Sequence, residues 1–302
     1  MNEDNTGPIR QITICGVGLI GGSLGLALRK AGYRGRIVGH GRPVTLEKAV
    51  RLGAIDSGSP NMAEAVADAD VVYLSTPILN ILELLAKLRP LVKEEALVTD
   101  AGSTKAVICE KAAEIYSGRP WFVGGHPMAG KETTGVESAD ADLFQNARYA
   151  VTPYSRHHLD PPVVRAFMGW LDRIGARVLI LDSEVHDEIV AWTSHLPQLA
   201  STALAVSVMD NVKFPDDLEL SAGGLRDATR LAESAYRVWR DICLTNTDNL
   251  ARALTTMAQV LENLRDNLRT RDLEHAFERA NELRKGLKEQ SGSRSEKKEV
   301  GS

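Results

Sequence analysis

Three short stretches of this chain hold side chains that can exchange protons. The stretch "GGHPMAG" contains His126, "TDAGSTK" contains Ser103, and "WTSHLPQ" contains His195. An imidazole titrates near neutral pH, so each of these histidines is a candidate general base. The alternatives are ordinary ones: a histidine in a glycine-rich turn is often solvated or structural, and Ser103 is well suited to cap a helix.

A proline follows His195 closely. Pro197 removes one helical N–H group and crowds the carbonyl of Thr193, so we expect the helix to kink or break beside this histidine. Trp192 precedes His195 by three positions and is expected on about the same helix face. No H-E-x-x-H or comparable cluster accompanies the histidines, so the sequence predicts no metal site.

Two arginines stand at the start of a predicted helix. In "SAGGLRDATR", Arg226 follows two glycines and Arg230 lies one turn further along the same face. A guanidinium group binds a carboxylate through two parallel hydrogen bonds, so the pair suits a ligand that carries a carboxylate. The alternative is an ion pair with a nearby acid such as Asp227 or Glu233.

The stretch "CGVGLIGGSLG" contains the pattern G-x-G-x-x-G. It follows an apolar run and opens a helical pattern, and its residues Gly16, Gly18, Leu19, Ile20 and Gly21 form the predicted turn and first helical turn. Glycines permit a tight turn and let the backbone approach a pyrophosphate, which binds at the helix N-terminus. In this context the pattern predicts dinucleotide binding.

The end of the second predicted strand indicates which dinucleotide is bound. NAD-binding sites usually place an acid there for the ribose 2′-hydroxyl. This chain has Gly41 and Arg42 instead, and no carboxylate occurs between Gly39 and Thr45. Arg42, with Thr45 helping, suits a 2′-phosphate, so NADP is favoured over NAD. The alternative is a solvated loop arginine.

Short apolar runs alternate with helical patterns in the first part of the chain. The strand patterns are QITICG, GRIVGH, DVVYLST, ALVTD, PWFVGG, RYAVTP and ARVLILD. This alternation predicts a mostly parallel sheet covered on both faces, and from Ser183 onward the spacing is helical. We predict an α/β dinucleotide-binding domain (1–182), an all-α domain (183–288) and a disordered tail (289–302).

The predicted sheet places two of the candidate side chains near the cofactor. Ser103 follows the strand that ends at Asp100, and His126 follows the strand pattern "WFVGG". The carboxyl ends of parallel strands meet at one edge of an open α/β sheet, where ligands bind. We therefore expect Ser103 and His126 beside the nicotinamide end of the cofactor.

Composition narrows the class of protein. The 302 residues are 43% hydrophobic and 25% charged, which is typical of a globular chain, and the net charge of −4 argues against a nucleic-acid partner. No apolar run is long enough to span a membrane, and no signal peptide is recognised. Cys15, Cys109 and Cys243 are widely spaced and odd in number, so we expect no disulfide framework and a cytoplasmic location.

Taken together, the motifs resemble the prephenate/arogenate dehydrogenase family. The matching stretches are GVGLIGGSLG, STP, TDAGSTK, GGHPMAG, HDEIVAWTSHLPQ, GGLRDATRLAES and WRDI, over roughly residues 10 to 285. The resemblance implies a Rossmann domain followed by a helical dimerisation domain, a homodimer, and an active site in the cleft between the domains. It also implies that Thr76 and Pro77 of "STP" contribute to cofactor binding.

The resemblance implies roles for individual residues. His126 is expected at the ring C4 hydroxyl of the substrate, Ser103 at His126 or the substrate, and His195 and Arg226 at the substrate. At Gly41 the chain departs from NAD-using members, which carry an acid there.

The implied reaction is the NAD(P)-dependent oxidative decarboxylation of prephenate to 4-hydroxyphenylpyruvate, or of arogenate to tyrosine, as a step of tyrosine biosynthesis. Two alternatives stay open. One is another Rossmann-plus-helical dehydrogenase acting on β-hydroxy acids, although no lysine base of the usual placement is recognised. The other is a regulator that senses NADP without turnover.

Overall fold

A computed structural model describes residues 8–131, 133–213 and 215–292, with side chains through residue 289. Eight strands form one sheet. They are β1 (Gln11–Cys15), β2 (Arg36–His40), β3 (Ser57–Ser59), β4 (Val71–Leu74), β5 (Leu97–Asp100), β6 (Trp121–Pro127), β7 (Arg148–Thr152) and β8 (Arg177–Ile180). Their spatial order is β3-β2-β1-β4-β5-β6-β7-β8.

The helices are α1 (Leu19–Lys30), α2 (Pro43–Arg51), α3 (Met62–Val66), α4 (Ile78–Leu88), α5 (Ala106–Ile115), α6 (Pro162–Arg173), α7 (Ser183–Val190), α8 (Leu196–Asn211), α9 (Gly223–Thr229), α10 (Tyr236–Thr245), α11 (Thr247–Asp266) and α12 (Asp272–Gly292). A π-helical turn, Ala191–His195, joins α7 to α8. The helix interruption expected from Pro197 is therefore present, and it takes the form of a π turn.

The centre of the sheet is buried on both faces. Every residue of β1, β4 and β5 is buried, which is why these strands read as nearly continuous apolar runs. β3–β2–β1–β4–β5–β6 are parallel neighbours, as the alternating pattern predicts. The short strand β3 was not predicted, because its sequence SGS has no apolar residue.

The register aligns the strand ends that carry the candidate site. Cys15 pairs with His40 on one side and with Leu74 on the other, and Leu74 pairs with Asp100. The loops that follow these residues therefore leave the sheet at one edge. Dinucleotides bind at this edge in open α/β sheets.

Strand β6 extends past its parallel neighbour. Its parallel pairing ends at Val123, and the next four residues pair with antiparallel β7, so that His126 lies opposite Ala150. His126 is therefore part of the strand, whereas the sequence pattern placed it in the turn after the strand. The β7 pairing fixes the backbone of this histidine.

The chain divides into two compact units, residues 1–249 and residues 250–302. The first contains the sheet and the helices through α10. The described part of the second consists of most of α11 together with α12. A domain boundary near residue 182 stays a prediction. The predicted tail at 289–302 begins inside α12, and residues 293–302 lie outside the described residues.

None of the described helices has the length and apolar character that crossing a membrane requires.

Candidate active site

The glycine-rich turn after β1 is tightly packed on one side and open on the other. Gly16 has φ +95°, and a Cβ added there would lie 2.6 Å from Thr76 Cγ2 and 2.8 Å from the Ser75 carbonyl oxygen. A Cβ on Gly21 would lie 2.5 Å from the Gly16 carbonyl oxygen. A Cβ on Gly18 would meet nothing within 4 Å. The turn therefore leaves room for a ligand at Gly18.

Helix α1 begins at this turn, and no side chain caps its N-terminus. Gly18 is the N-cap, and Leu19 and Ile20 begin the helix. The N-terminal N–H groups of a helix bind phosphate groups well. Thr76 Oγ1 lies beside the turn, is buried, and has no hydrogen-bond partner in the described part of the chain. This orphaned hydroxyl and the open turn fit a bound dinucleotide.

The neighbouring loops complete the predicted cofactor site. Pro77, the N-cap of α4, follows Thr76 directly. At the end of β2, Gly41 has open space where a Cβ would stand, and the exposed Arg42 is the N-cap of α2. The half-buried Thr45 donates its backbone N–H to the Arg42 carbonyl oxygen at 2.9 Å.

His126 belongs to a buried chain of hydrogen bonds. Its Nδ1 lies 2.9 Å from Nε2 of His186, and His186 Nδ1 lies 2.7 Å from Oδ1 of Asp187. A carboxylate only accepts, so His186 donates from Nδ1 and, when neutral, accepts at Nε2. His126 therefore donates from Nδ1. This tautomer leaves the lone pair of His126 Nε2 free to accept a proton.

Asp187 is itself held by helix α5. Its Oδ1 accepts the backbone N–H of Lys105 at 2.7 Å, and its Oδ2 accepts that of Ala106 at 2.9 Å. Asp187 lies in α7, so α7 provides the cap for α5. A carboxylate is stabilised at a helix N-terminus by these donors and by the helix dipole. The sequence had suggested Ser103 as the possible cap.

A buried ion pair lies under the same edge of the sheet. Lys105 and Asp100 are both fully buried, and the Lys105 ammonium donates to Asp100 Oδ2. The carboxylate also accepts the backbone N–H of Gly102 at 2.8 Å and that of Gly125 at 3.1 Å. Asp100 therefore ties the loop after β5 to the residue directly before His126.

Burial favours the neutral form of the candidate histidines His126 and His195. Burial lowers the pKa of His126 well below 6.5, and the positive charge of Lys105 and the neighbouring imidazoles of His186 and His195 lower it further. Burial also lowers the pKa of His195 to about 4, although Asp187 opposes the shift. A neutral imidazole at pH 7 is the form that accepts a proton.

His195 has its own set of partners in the π turn. It is 1% exposed, and its ring makes an edge contact with Trp239 at 5.8 Å between centroids. Its Nδ1 lies 3.4 Å from Nδ2 of Asn246, which also donates to the Asp187 carbonyl oxygen at 2.9 Å. His195 Nδ1 therefore accepts and its Nε2–H donates. Trp192, three positions before His195, is 42% exposed.

The remaining predicted residues lie around this centre. Ser103 is half-buried, three positions before the start of α5, next to Thr104, whose hydroxyl lies 2.7 Å from that of Thr245 in α10. Arg226 is exposed on α9, and Arg230 is exposed at the end of α9. Within the described residues, no hydrogen bond or ion pair joins Arg226 to the two histidines.

Sequence reasoning missed four of the buried partners. They are His186, Asp187, Asn246 and Lys105. The adjacent His-Asp pair in "HDEIVAWTSHLPQ" was a usable signal, because an acid beside a histidine can orient the imidazole. Lys105 carried no such signal, since its burial depends on the Asp100 carboxylate beneath it.

Two family models together match most of the chain. The prephenate dehydrogenase nucleotide-binding domain matches residues 24–180, and the prephenate dehydrogenase dimerization domain matches residues 182–289. A prephenate dehydrogenase of Lactococcus lactis is 33% identical over 94% of this chain and 79% of its own length. A cyclohexadienyl dehydrogenase of Zymomonas mobilis is 29% identical over 91% of this chain and 94% of its own length.

Solved structures agree with the sequence relatives. Prephenate dehydrogenase from Aquifex aeolicus, in complex with hydroxyphenyl propionate and NAD+, superposes with a TM-score of 0.80 at 31% identity and covers 93% of this chain and 96% of its own. Synechocystis arogenate dehydrogenase gives a TM-score of 0.76 at 32% identity, covering 92% of this chain and 99% of its own.

A 3-hydroxyisobutyrate dehydrogenase at 19% identity, TM-score 0.51, shares the fold alone. The β-hydroxy-acid alternative is therefore not favoured. With both domain models matched in order and relatives above 30% identity across nearly the whole chain, this protein belongs to the prephenate/arogenate dehydrogenase family.

Proposed function

We propose that this protein catalyses the oxidative decarboxylation of prephenate or arogenate with NADP. Family membership supports the reaction class. The observation that carries the residue assignment is the His126–His186–Asp187 chain, which leaves an unprotonated Nε2 on a strand at the cofactor edge of the sheet. A fixed, neutral imidazole at that place suits a general base.

His126 is assigned to the C4 hydroxyl of the substrate ring. A bound nicotinamide supplies the acceptor for the hydride that leaves C4. As the C4–O bond gains double-bond character, the hydroxyl proton moves to His126 Nε2. The bond from C1 to the carboxylate then breaks and carbon dioxide leaves. The electron pair of that bond stays on the ring and makes it aromatic. The imidazolium of His126 returns the proton to the phenolic oxygen, so the reaction releases no net proton.

His186 and Asp187 act as positioning residues. They fix the tautomer of His126, and Asp187 is in turn fixed by two backbone N–H groups of α5. As His126 gains a proton, its Nδ1–H bond to His186 strengthens, because the donor is then charged. The buried Lys105 opposes protonation of His126, which favours return of the proton to the product.

The other predicted site residues are assigned to substrate binding. His195 presents its Nε2–H as a donor, which suits a carboxylate or carbonyl oxygen of the substrate. Arg226 and Arg230 suit a substrate carboxylate, and Ser103 suits the C4 hydroxyl or His126. Prephenate carries two carboxylates, so donors and cations at separate positions match its chemistry.

The cofactor site is assigned to Gly16, Gly18, Leu19, Ile20, Gly21, Gly41, Arg42, Thr45, Thr76 and Pro77. The absence of an acid at Gly41 and the exposed guanidinium of Arg42 support NADP over NAD. The match to a dimerization-domain model supports a homodimer.

Steady-state kinetics with both substrates and both cofactors test the proposal. We expect NADP reduction with release of one carbon dioxide per turnover from prephenate or arogenate, at a higher kcat/KM with NADP than with NAD. Arogenate differs from prephenate only in an amine in place of a keto group, so the ratio of the two kcat/KM values identifies the natural substrate class. A protein that binds NADP tightly and turns over neither substrate would instead be a cofactor sensor.

A further inference from the structure

A cavity lies on the first compact unit, beside the carboxyl half of α5. Its volume is about 290 Å³. The floor and walls come from α5, β6 and the end of β7, and the mouth from the segment after β7. The lining residues are Cys109, Ala112, Ala113, Tyr116, Ser117, Phe122, Thr152, Tyr154 and His158.

The walls of the cavity are flat and aromatic. The rings of Tyr116 and Phe122 stack at 6.1 Å with an interplanar angle of 25°. The imidazole of His158 makes edge contacts with Tyr154 at 5.8 Å and with Trp121 at 5.9 Å. Aromatic rings pair favourably in stacked and edge geometries, so one more ring would find partners on both sides.

The polar groups of the cavity are uncharged. Cys109 Sγ lies 3.2 Å from Thr152 Oγ1 at the floor, and His158 Nδ1 is paired with Ser155 Oγ at 2.9 Å. Burial raises the pKa of the Cys109 thiol to about 11 and lowers the pKa of His158, so both are neutral at pH 7. Among the residues that the structure describes, no lysine or arginine lines the cavity. A carboxylate in the cavity would therefore have no lysine or arginine partner.

The cavity is large enough for one substituted aromatic ring. Apolar cavities of about 150 Å³ bind benzene, and drug-sized sites begin near 300 Å³. The hydroxyl groups of Thr152 at the floor and Ser117 on the wall can exchange one hydrogen bond with a ligand. Prephenate and arogenate do not fit this chemistry, since both are charged.

The cavity is in contact with the strand that carries His126. A Cβ added to Gly124 would lie 2.3 Å from Thr152 Oγ1 and 2.8 Å from Cys109 Sγ. The two polar floor residues therefore pack directly on the backbone of β6, two positions before His126. We therefore expect a ligand that contacts Thr152 or Cys109 to change the amide environment of Gly124 and of the adjacent Gly125.

We propose that this cavity is a binding site for one uncharged monocyclic aromatic molecule of the phenol type, separate from the substrate site. The proposal rests on the aromatic walls, the uncharged polar floor and the volume. It does not depend on which substrate the enzyme oxidises.

Phenol and benzoate at pH 7 test the charge and shape requirement together. Phenol is expected to bind with a dissociation constant of about 1 mM or tighter, to raise Tm, and to shift the methyl signals of Ala112 and Ala113 and the amide signals of Gly124 and Gly125. Benzoate, which has similar size but a negative charge, is expected to shift none of these signals.

A cavity-filling variant separates this site from the substrate site. Ala113→Phe, with Ala113→Leu as a smaller replacement, is expected to weaken phenol binding at least 10-fold. The matched control is Ala86→Phe, at an exposed position of α4, which should bind like the wild type. His126→Asn should also retain phenol binding. The proposal is overturned if wild-type Ala112 and Ala113 signals do not move, or if Ala113 variants bind phenol as well as the wild type.

Discussion

The hydrogen bond at Nδ1 of His126 determines which of its two ring nitrogens can accept a proton. A neutral histidine on a mobile loop exchanges tautomers freely, whereas His126 lies within β6 and donates from Nδ1 to His186. The acceptor lone pair is thereby fixed on Nε2. The proposed base depends on a second histidine and on a carboxylate that are both buried.

At the residue scale, Arg226 is expected to bind a substrate carboxylate. Arg226→Ala should raise the KM for the substrate roughly 10- to 100-fold, because a charged hydrogen bond contributes about 1.5–3 kcal/mol. Cofactor affinity should stay near the wild-type value. The matched control is Arg165→Ala, an exposed arginine on α6. A substrate KM equal to that of the wild type would show that Arg226 has only a structural role.

Arg42 is expected to determine the choice of cofactor. Arg42→Ala should lower kcat/KM for NADP by about 10-fold or more, through loss of a charged contact to the 2′-phosphate, and should leave NAD nearly unchanged. Arg51→Ala, at the exposed end of the same helix, removes the same charge away from the cofactor loop and serves as the control. A wild type that prefers NAD would contradict this assignment.

At the scale of elements, the glycines at the start of and within helix α1 differ in how much space surrounds them. A Cβ on Gly25 would lie 1.9 Å from the Ala54 carbonyl oxygen, whereas one on Gly18 would meet nothing within 4 Å. Gly25→Ala should therefore destabilise the protein by about 1–3 kcal/mol, as overpacking does, despite the better helix propensity of alanine.

Gly18→Ala provides the comparison. It should leave Tm close to the wild-type value and weaken NADP binding, since the methyl group would occupy the space where the pyrophosphate approaches. Thermal unfolding and NADP titration of both variants measure the two effects. Equal stability of the two variants would contradict the packing described for α1.

Elements whose signal is local were predictable from sequence. Apart from the short elements β3 and α3, the strands and helices of the first 180 residues show clear periodicity, and the cofactor turn shows its glycine spacing. Ser103 and His126 follow strands that end at one edge of the sheet, and His195 lies in the π turn near Pro197, so their positions in the fold follow from local patterns, while their roles stay predictions. The capping of α5 by Asp187 of α7 was not predictable, because the bonded residues Ala106 and Asp187 are 81 positions apart in the sequence. The antiparallel pairing of β6 with β7, which fixes His126, was not predictable either, because composition does not indicate the relative direction of two strands.

At the scale of the whole molecule, large apolar side chains are exposed on the unit formed by residues 250–302. Leu261, Leu268, Phe277 and Leu283 are each more than half exposed in the single chain. We expect a homodimer in sedimentation experiments at micromolar concentration. Phe277→Glu should raise the dimer dissociation constant at least about 10-fold, because burial of a phenylalanine contributes about 1.5–3 kcal/mol. Sedimentation of the wild type only as a monomer would contradict this expectation.

The pH dependence of kcat in the wild type and in His126→Asn tests the central claim most directly. The pKa of His126 is lowered well below 6.5, so kcat should be constant above pH 6.5. At pH values below the lowered pKa, kcat should fall, because the protonated imidazole cannot accept the hydroxyl proton.

His126→Asn should lower kcat by about 10²–10⁴-fold, change KM much less, and lose the acidic limb of the profile. The control, His157→Asn, replaces a solvent-exposed histidine and should keep the full profile. If His126→Asn retains near-wild-type kcat, or retains the acidic limb, another residue accepts the proton and the account given for His126 is wrong.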